Sequence, residues 1–249
     1  MTLIPTLRLS LEMTNVLTRI EMNGLKINLD TLHEIEKEYN EELSYLETKL
    51  QTMAKEAMGD TPVNLSSPDD RSVLLYSRKV RDKSMWGLTF NLGHEMRGNT
   101  MKPKLRTRMK ANVFIRNVRN MTDVVYKTVG QMCAGCLGNG RVRMVNKNGQ
   151  PSKVLNICKS CKGKGIRYMN TNEVAGFKIV PRNPKDTASA GFKTDKVTLE
   201  DRSLELSGDA REFCTSYSRY NAIRTYLSTF VEGMKNNVDD DGFVHPEFM

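Results

Sequence analysis

Four of the five cysteines in this 249-residue chain fall in two copies of one short pattern. Cys133-Ala-Gly-Cys136-Leu-Gly138-Asn-Gly140 and Cys158-Lys-Ser-Cys161-Lys-Gly163-Lys-Gly165 both read C-x-x-C-x-G-x-G, with 21 residues between them from Cys136 to Cys158. Two thiols at this spacing are aimed at one ion by a tight turn, and the small residues leave backbone amides free to reach the sulfurs. Two such knuckles joined by a hairpin predict a tetrahedral four-sulfur site for one structural Zn2+. Four protein ligands close the shell, so no position is left for catalysis. An iron–sulfur cluster or a redox dithiol is the alternative use of the same residues. Cys214 stands alone.

The charge around this motif is one-sided. From Arg97 to Asn170 there are 17 Lys and Arg against a single acid, Asp123, while the remaining residues hold 21 basic and 28 acidic side chains. The overall charge of +9 therefore averages an acidic protein with a strongly basic central insert. Arg97, Lys102, Lys104, Arg106, Arg108 and Lys110 open that insert without an intervening acid. Such a concentration predicts a polyanionic partner, and nucleic acid is the expected one. With 39% hydrophobic residues the chain can bury a core, and it has no apolar run of membrane-spanning length. The first residues lack the pattern of a secretion signal. The expectation is a soluble, cytoplasmic protein with reduced cysteines and no membrane partner.

Helices must position these groups. Leu7 to Met22 is amphipathic and stops at Asn23-Gly24. Asp30 is the expected cap of a long helix over Thr31–Met58, with Leu32, Ile35, Tyr39, Leu43, Leu46, Leu50, Met53 and Ala57 stepping by 3 or 4. Ser67 and Pro68 start another helix, through about Lys79. From about Val80 to Ala190 the regularity fails, apart from short strands at Arg141–Val145 and Val154–Ile157 around an Asn148-Gly149 turn. Asp209 to about Asn236 carries Phe213, Tyr217, Tyr220, Ile223, Leu227, Phe230 and Met234 on one face, and is the natural antiparallel partner of the Thr31–Met58 helix. The expected organisation is thus residues 1–79 helical, 80–190 a basic insert with a ribbon at about 130–168, and 191–249 helical again. The fold class is mainly α with a small β zinc ribbon. No nucleophile triad, phosphate-cradling glycine loop or convincing carboxylate pair points to self-contained catalysis; His33 and His245 are expected as surface or turn residues, and His94 is the only histidine near the basic insert.

The knuckle pattern resembles the cysteine-rich region of J-type co-chaperones, which have four copies and a separate His-Pro-Asp signature. Here there are two copies and no His-Pro-Asp, so that likeness is local. Outside the insert, three stretches in order resemble the thumb of family A (polymerase I type) DNA polymerases. They are Leu11-Glu12-Met13 through Asn28, Val63-Asn64-Leu65-Ser66-Ser67, and Gly191-Phe192-Lys193-Thr194-Asp195 onward through Tyr226-Leu227-Ser228-Thr229-Phe230 to Gly242-Phe243-Val244-His245-Pro246. Together they cover about 130 residues. The resemblance implies that Asn64, Ser66, Ser67, Lys193, Lys196, Arg224 and Ser228 lie along primer-template DNA and bond phosphate and sugar. A turn and helix cap explain Asn64 to Ser67 equally well, and a solvated helix face explains Arg224. The sequence departs from the family at Asn221 and Thr225, where a basic residue is usual, and at Arg71, where an apolar one is. The insert is not a general family feature. The resemblance further implies that palm and fingers, with their aspartates and Mg2+, belong to a second polypeptide of a split, phage-encoded polymerase acting in the host cytoplasm, or to the rest of a longer enzyme. The insert then grips DNA or docks another replisome protein. An independent zinc-ribbon nucleic-acid-binding protein and a co-chaperone-like interaction module are the other classes of reading.

Overall fold

A computed structural model describes residues 3–97, 100–105, 109–145, 151–181 and 186–245. The first helix, α1 (Leu3–Asn23), ends where Gly24 adopts φ +64 and its N–H bonds to the Ile20 carbonyl at 3.0 Å. After β1 (Leu25–Lys26) comes α2 (Leu29–Met58), about 45 Å long at 1.5 Å per residue. Its cap is Asn28 rather than Asp30, because the Asn28 side-chain oxygen accepts the Thr31 N–H at 3.2 Å. Asp30 sits inside the first turn, where its charge suits the helix N-terminus.

Helix α3 (Pro68–Tyr76) starts as the sequence requires, with the Ser67 hydroxyl accepting the Asp70 N–H at 3.3 Å. It stops short of Lys79 because Ser77 takes a left-handed conformation, and the chain leaves as β2 (Arg78–Val80). The stretch expected to be irregular is not. It holds α4 (Lys83–Thr89), capped by Asp82, the strands β3 (Leu92–Arg97) and β4 (Thr100–Leu105), and α5 (Ala111–Met121). Then follow β5 (Thr122–Val124), β6 (Tyr126–Met132), β7 (Arg141–Val145), β8 (Pro151–Ile157), β9 (Ile166–Val174) and β10 (Thr187–Ala188). The chain closes through β11 (Gly191–Phe192), α6 (Lys196–Glu205), α7 (Gly208–Thr225), a π-helical stretch Tyr226–Val231, α8 (Glu232–Asn237) and β12 (Phe243–Val244). The strands form two-stranded antiparallel pairs, so the fold is mainly α.

The chain divides into two compact units, residues 1–48 with 216–249, and residues 49–215. In the first, α2 runs antiparallel to the final helix. Glu36 pairs with Lys235 at 2.9 Å and Glu42 with Arg219 at 2.7 Å, and Tyr39 stacks on Tyr226 with ring centroids 6.2 Å apart. Leu32, Leu46, Tyr217, Ile223 and Val231 are buried there. Phe230, expected on the buried face, is 51% exposed and Val231 is buried instead. The cause is the π-helical stretch, where the Glu232 N–H reaches back five residues to the Leu227 carbonyl. One extra residue per turn shifts the apolar seam by one position.

The second unit is built on an aromatic cluster. Trp86 lies 4.4 Å from Phe90 and 5.1 Å from Phe192 between ring centroids, Phe90 meets Phe114 at 5.5 Å, and Tyr76 stacks on Phe192 at 4.6 Å. Burying each large side chain contributes roughly 1.5–3 kcal/mol. The polar tips are satisfied, Trp86 Nε1 donating to the Ala188 carbonyl at 3.1 Å and the Tyr76 hydroxyl to that of Lys193 at 3.0 Å. Arg202 and Asp186 form a buried pair at 2.6 Å beside them. This cluster ties α3 and β11 to α4 and α5, so residues 80–121 share one core with their flanks. The compact units therefore cut the chain elsewhere than at residues 79 and 190.

Candidate metal centre and basic surface

Strand β6 enters the first knuckle and β7 leaves it, while β8 enters the second and β9 leaves it. Since β6 pairs with β9 and β7 with β8, the four cysteines are gathered between two antiparallel pairs. All four are buried and free of disulfides, and their sulfurs lie within 4.8 Å of one another. Cys133 and Cys158 are 3.9 Å apart at sulfur, Cys136 and Cys161 3.6 Å. A tetrahedron with metal–sulfur bonds of about 2.3 Å has edges of about 3.8 Å. The cluster can hold one metal ion.

The knuckles repeat each other at an offset of 25 residues. Cys133 N–H bonds to the Gly165 carbonyl at 2.8 Å, and Cys158 N–H to that of Gly140 at 2.9 Å. Gly140 N–H donates to Cys136 Sγ at 3.2 Å and Gly165 N–H to Cys161 Sγ at 3.3 Å. Such N–H donors favour thiolate, the form a metal needs. Cys136 and Cys158 are shifted in opposite directions. Burial pushes the Cys136 thiol up to about 12, while backbone N–H donors from Cys161 and Ser160, against burial, bring Cys158 down to about 7. Val142 packs on the cluster. Cys214, buried in the second unit, is pushed up to about 11 by desolvation, which makes it an inert core residue.

The residues expected along DNA are spread out. Asn64 and Ser66 are exposed at the start of α3, where Asn64 Oδ1 accepts the Ser66 N–H at 3.0 Å and Ser67 caps the helix. The capping role is therefore met in full. Arg71 donates to the Leu65 carbonyl at 2.7 Å and holds this turn. Half-buried Lys193 accepts the Tyr76 hydroxyl with its carbonyl. Lys196 is exposed and 3.8 Å from Glu200. Arg224 and Ser228 are exposed in the first unit. Arg97 falls on β3, and Lys102 and Lys104 on β4. Lys110 is exposed before α5. Arg106, Arg108 and the Asn148-Gly149 turn lie outside the described residues.

Two further groups went unassigned in the sequence reading. Arg141 and Arg143 on β7 are exposed and share a face with Leu155 and Ile157 of β8, by register. Their alternation with buried-side Val142 is the signal that marks them. A cleft of about 610 Å³ is lined by Arg78, Lys79, Lys83, Asp69 and Asp70, with Lys83 and Asp69 paired; only the folded chain brings these together. No described helix is long and apolar enough to cross a membrane. Compared with protein families, curated proteins and solved structures, the chain finds no match in any of the three.

Proposed function

We propose that this chain is the thumb part of a DNA-directed DNA polymerase of the polymerase I type, gripping primer-template duplex while a palm-and-fingers polypeptide supplies the aspartates and Mg2+ for nucleotide transfer. The observation that carries the reading is the antiparallel pairing of α2 with the final helix, Glu36 to Lys235 and Glu42 to Arg219; α2 lies between the first two stretches that resemble the family's thumb motifs, and the final helix lies within the third. Zn2+ is the ion the sulfur geometry suits best. It holds the knuckles together and takes no part in chemistry. The charge of residues 49–215, 31 Lys and Arg against 15 Asp and Glu, provides the attraction to phosphate.

The first test is a titration of fluorescent primer-template into the zinc-loaded chain over a salt series. Contacts to about six phosphates give a log–log slope near −5. Deleting the whole basic insert would remove Phe114 from the core, so the informative variant replaces residues 133–165 with an Asn-Gly turn between the paired residues Met132 and Ile166. The second test is primer extension by the chain combined with its palm-bearing polypeptide. Failure of the two to associate, or a slope near zero, overturns the reading. A second reading, an independent zinc-ribbon nucleic-acid-binding protein, draws on the separate aromatic core of the basic unit. It is recognised by equally tight binding to DNA without a primer terminus and by no extension with any palm. A co-chaperone-like module gives no salt-dependent DNA binding.

A further inference from the structure

The two knuckles have the same backbone and opposite surfaces. Leu137 and Lys162 occupy equivalent places with φ 49 and φ 51, and the glycines that follow match as well. At three of the four variable positions the first knuckle has Ala134, Leu137 and Asn139, whereas the second has Lys159, Lys162 and Lys164; the fourth is Gly135 in one and Ser160 in the other. The first six of these residues are all exposed. Leu137 is 70% exposed and Met132 beside it 67%. Because the first knuckle forms the turn and supplies two thiolates without a lysine, neither the turn nor the metal demands the lysines of the second. No Asp or Glu occurs from residue 124 to 172, and among the described residues none of the three lysines is in an ion pair.

We infer that the second knuckle is a nucleic-acid backbone contact, with Lys159, Lys162 and Lys164 each meeting a phosphate, and that the first knuckle faces away from the DNA. Lysine is a point charge on a flexible stem without an acceptor, so the contact reads no sequence. A polymerase that must traverse any template needs that property. Arg167, two residues beyond the second knuckle, is exposed as well. The inference rests on the proposed DNA-binding role and adds which face of the metal module carries it.

The test compares the zinc-loaded wild type with Lys159→Ala/Lys162→Ala/Lys164→Ala and with Leu137→Gln, using one duplex over a salt series and cobalt(II) absorption to confirm the four-sulfur site in each. Loss of three phosphate contacts lowers the magnitude of the log–log slope by about 2.7 and weakens binding on the order of 100-fold at 0.1 M salt. Leu137→Gln should leave both unchanged. A wild type that binds with a steep slope while the triple variant matches it overturns this inference and leaves the DNA-binding role standing. A triple variant that loses its metal assigns the lysines to balancing the thiolate charge, which also overturns it. A wild type without salt-dependent binding removes both.

Discussion

Residues 1–48 with 216–249 carry 7 Lys and Arg against 14 Asp and Glu, while residues 49–215 carry 31 against 15. The two units also cohere differently. The first relies on a helix seam bordered by solvent-accessible ion pairs, Glu36 with Lys235 and Glu42 with Arg219. The second combines an aromatic cluster around Trp86 with the four-cysteine site. Attraction to a polyanion must therefore come from the second unit. A net charge of −7 on the first repels phosphate, so any DNA contact at Arg224 or Ser228 is local and does not steer association. The division of charge follows the division of structure.

The comparison is broken most severely at the metal site. If the four cysteines hold a structural zinc as proposed, Cys136→Ser should abolish stoichiometric metal binding and unfold the knuckles and β7–β8, since such an ion contributes roughly 10 kcal/mol or more. Circular dichroism should show the helical signal largely retained. A global collapse would mean that the metal site and the helices are one cooperative system. Next, Phe114→Ala should cost about 3–5 kcal/mol, read by denaturant unfolding followed through Trp86, the single tryptophan. A cost below about 1 kcal/mol would place the core elsewhere.

A smaller effect lies in the acidic unit. The ring of His245 meets two acceptors, the Glu21 carbonyl at 2.7 Å from Nδ1 and Asp239 Oδ2 at 3.2 Å from Nε2. Both nitrogens can donate only if the imidazole is protonated, and these two bonds raise its pKa above the usual 6.5. The stabilisation is complete below 6.5 and is lost as pH rises through the raised value. Asp239 is held below its usual 3.8, chiefly by the Phe243 N–H, so its share disappears only in acid. Thermal melts should show this unit weakening as pH rises above about 6.5, with the decline absent in His245→Gln. The least effect is expected from Glu42→Gln, below about 1 kcal/mol in a melt, because the pair with Arg219 is solvent-screened.

What the sequence revealed was local. The knuckles, the start of α3 at Ser67-Pro68 and the end of α1 at Gly24 depend on residues within a few positions of one another. Helix α5 was hidden by its charges: Arg116 and Arg119 dominate the composition, although buried Phe114 and Val118 already stand one turn apart. The aromatic cluster joins residue 76 to residue 192, and no window along the chain contains it. The π-helical stretch defeated a 3.6-residue count because an inserted residue leaves Phe230 and Val231 equally plausible as the buried one. The choice of Asn28 over Asp30 as cap turned on two residues that are both good acceptors.

The reciprocal contact of the knuckles has a consequence for how such a module is inherited. A side chain begun at Gly140 would place its Cβ 2.2 Å from the Gly163 carbonyl oxygen, and one at Gly165 would stand 2.2 Å from that of Gly138. Each half is the mould of the other. A recombination that replaced one knuckle with an unrelated loop would leave the second without its matching surface, so the pair can be acquired, moved or lost only together. Within that constraint the four variable positions of each knuckle are free to diverge, which is how one four-cysteine fold can come to present a neutral side and a cationic side.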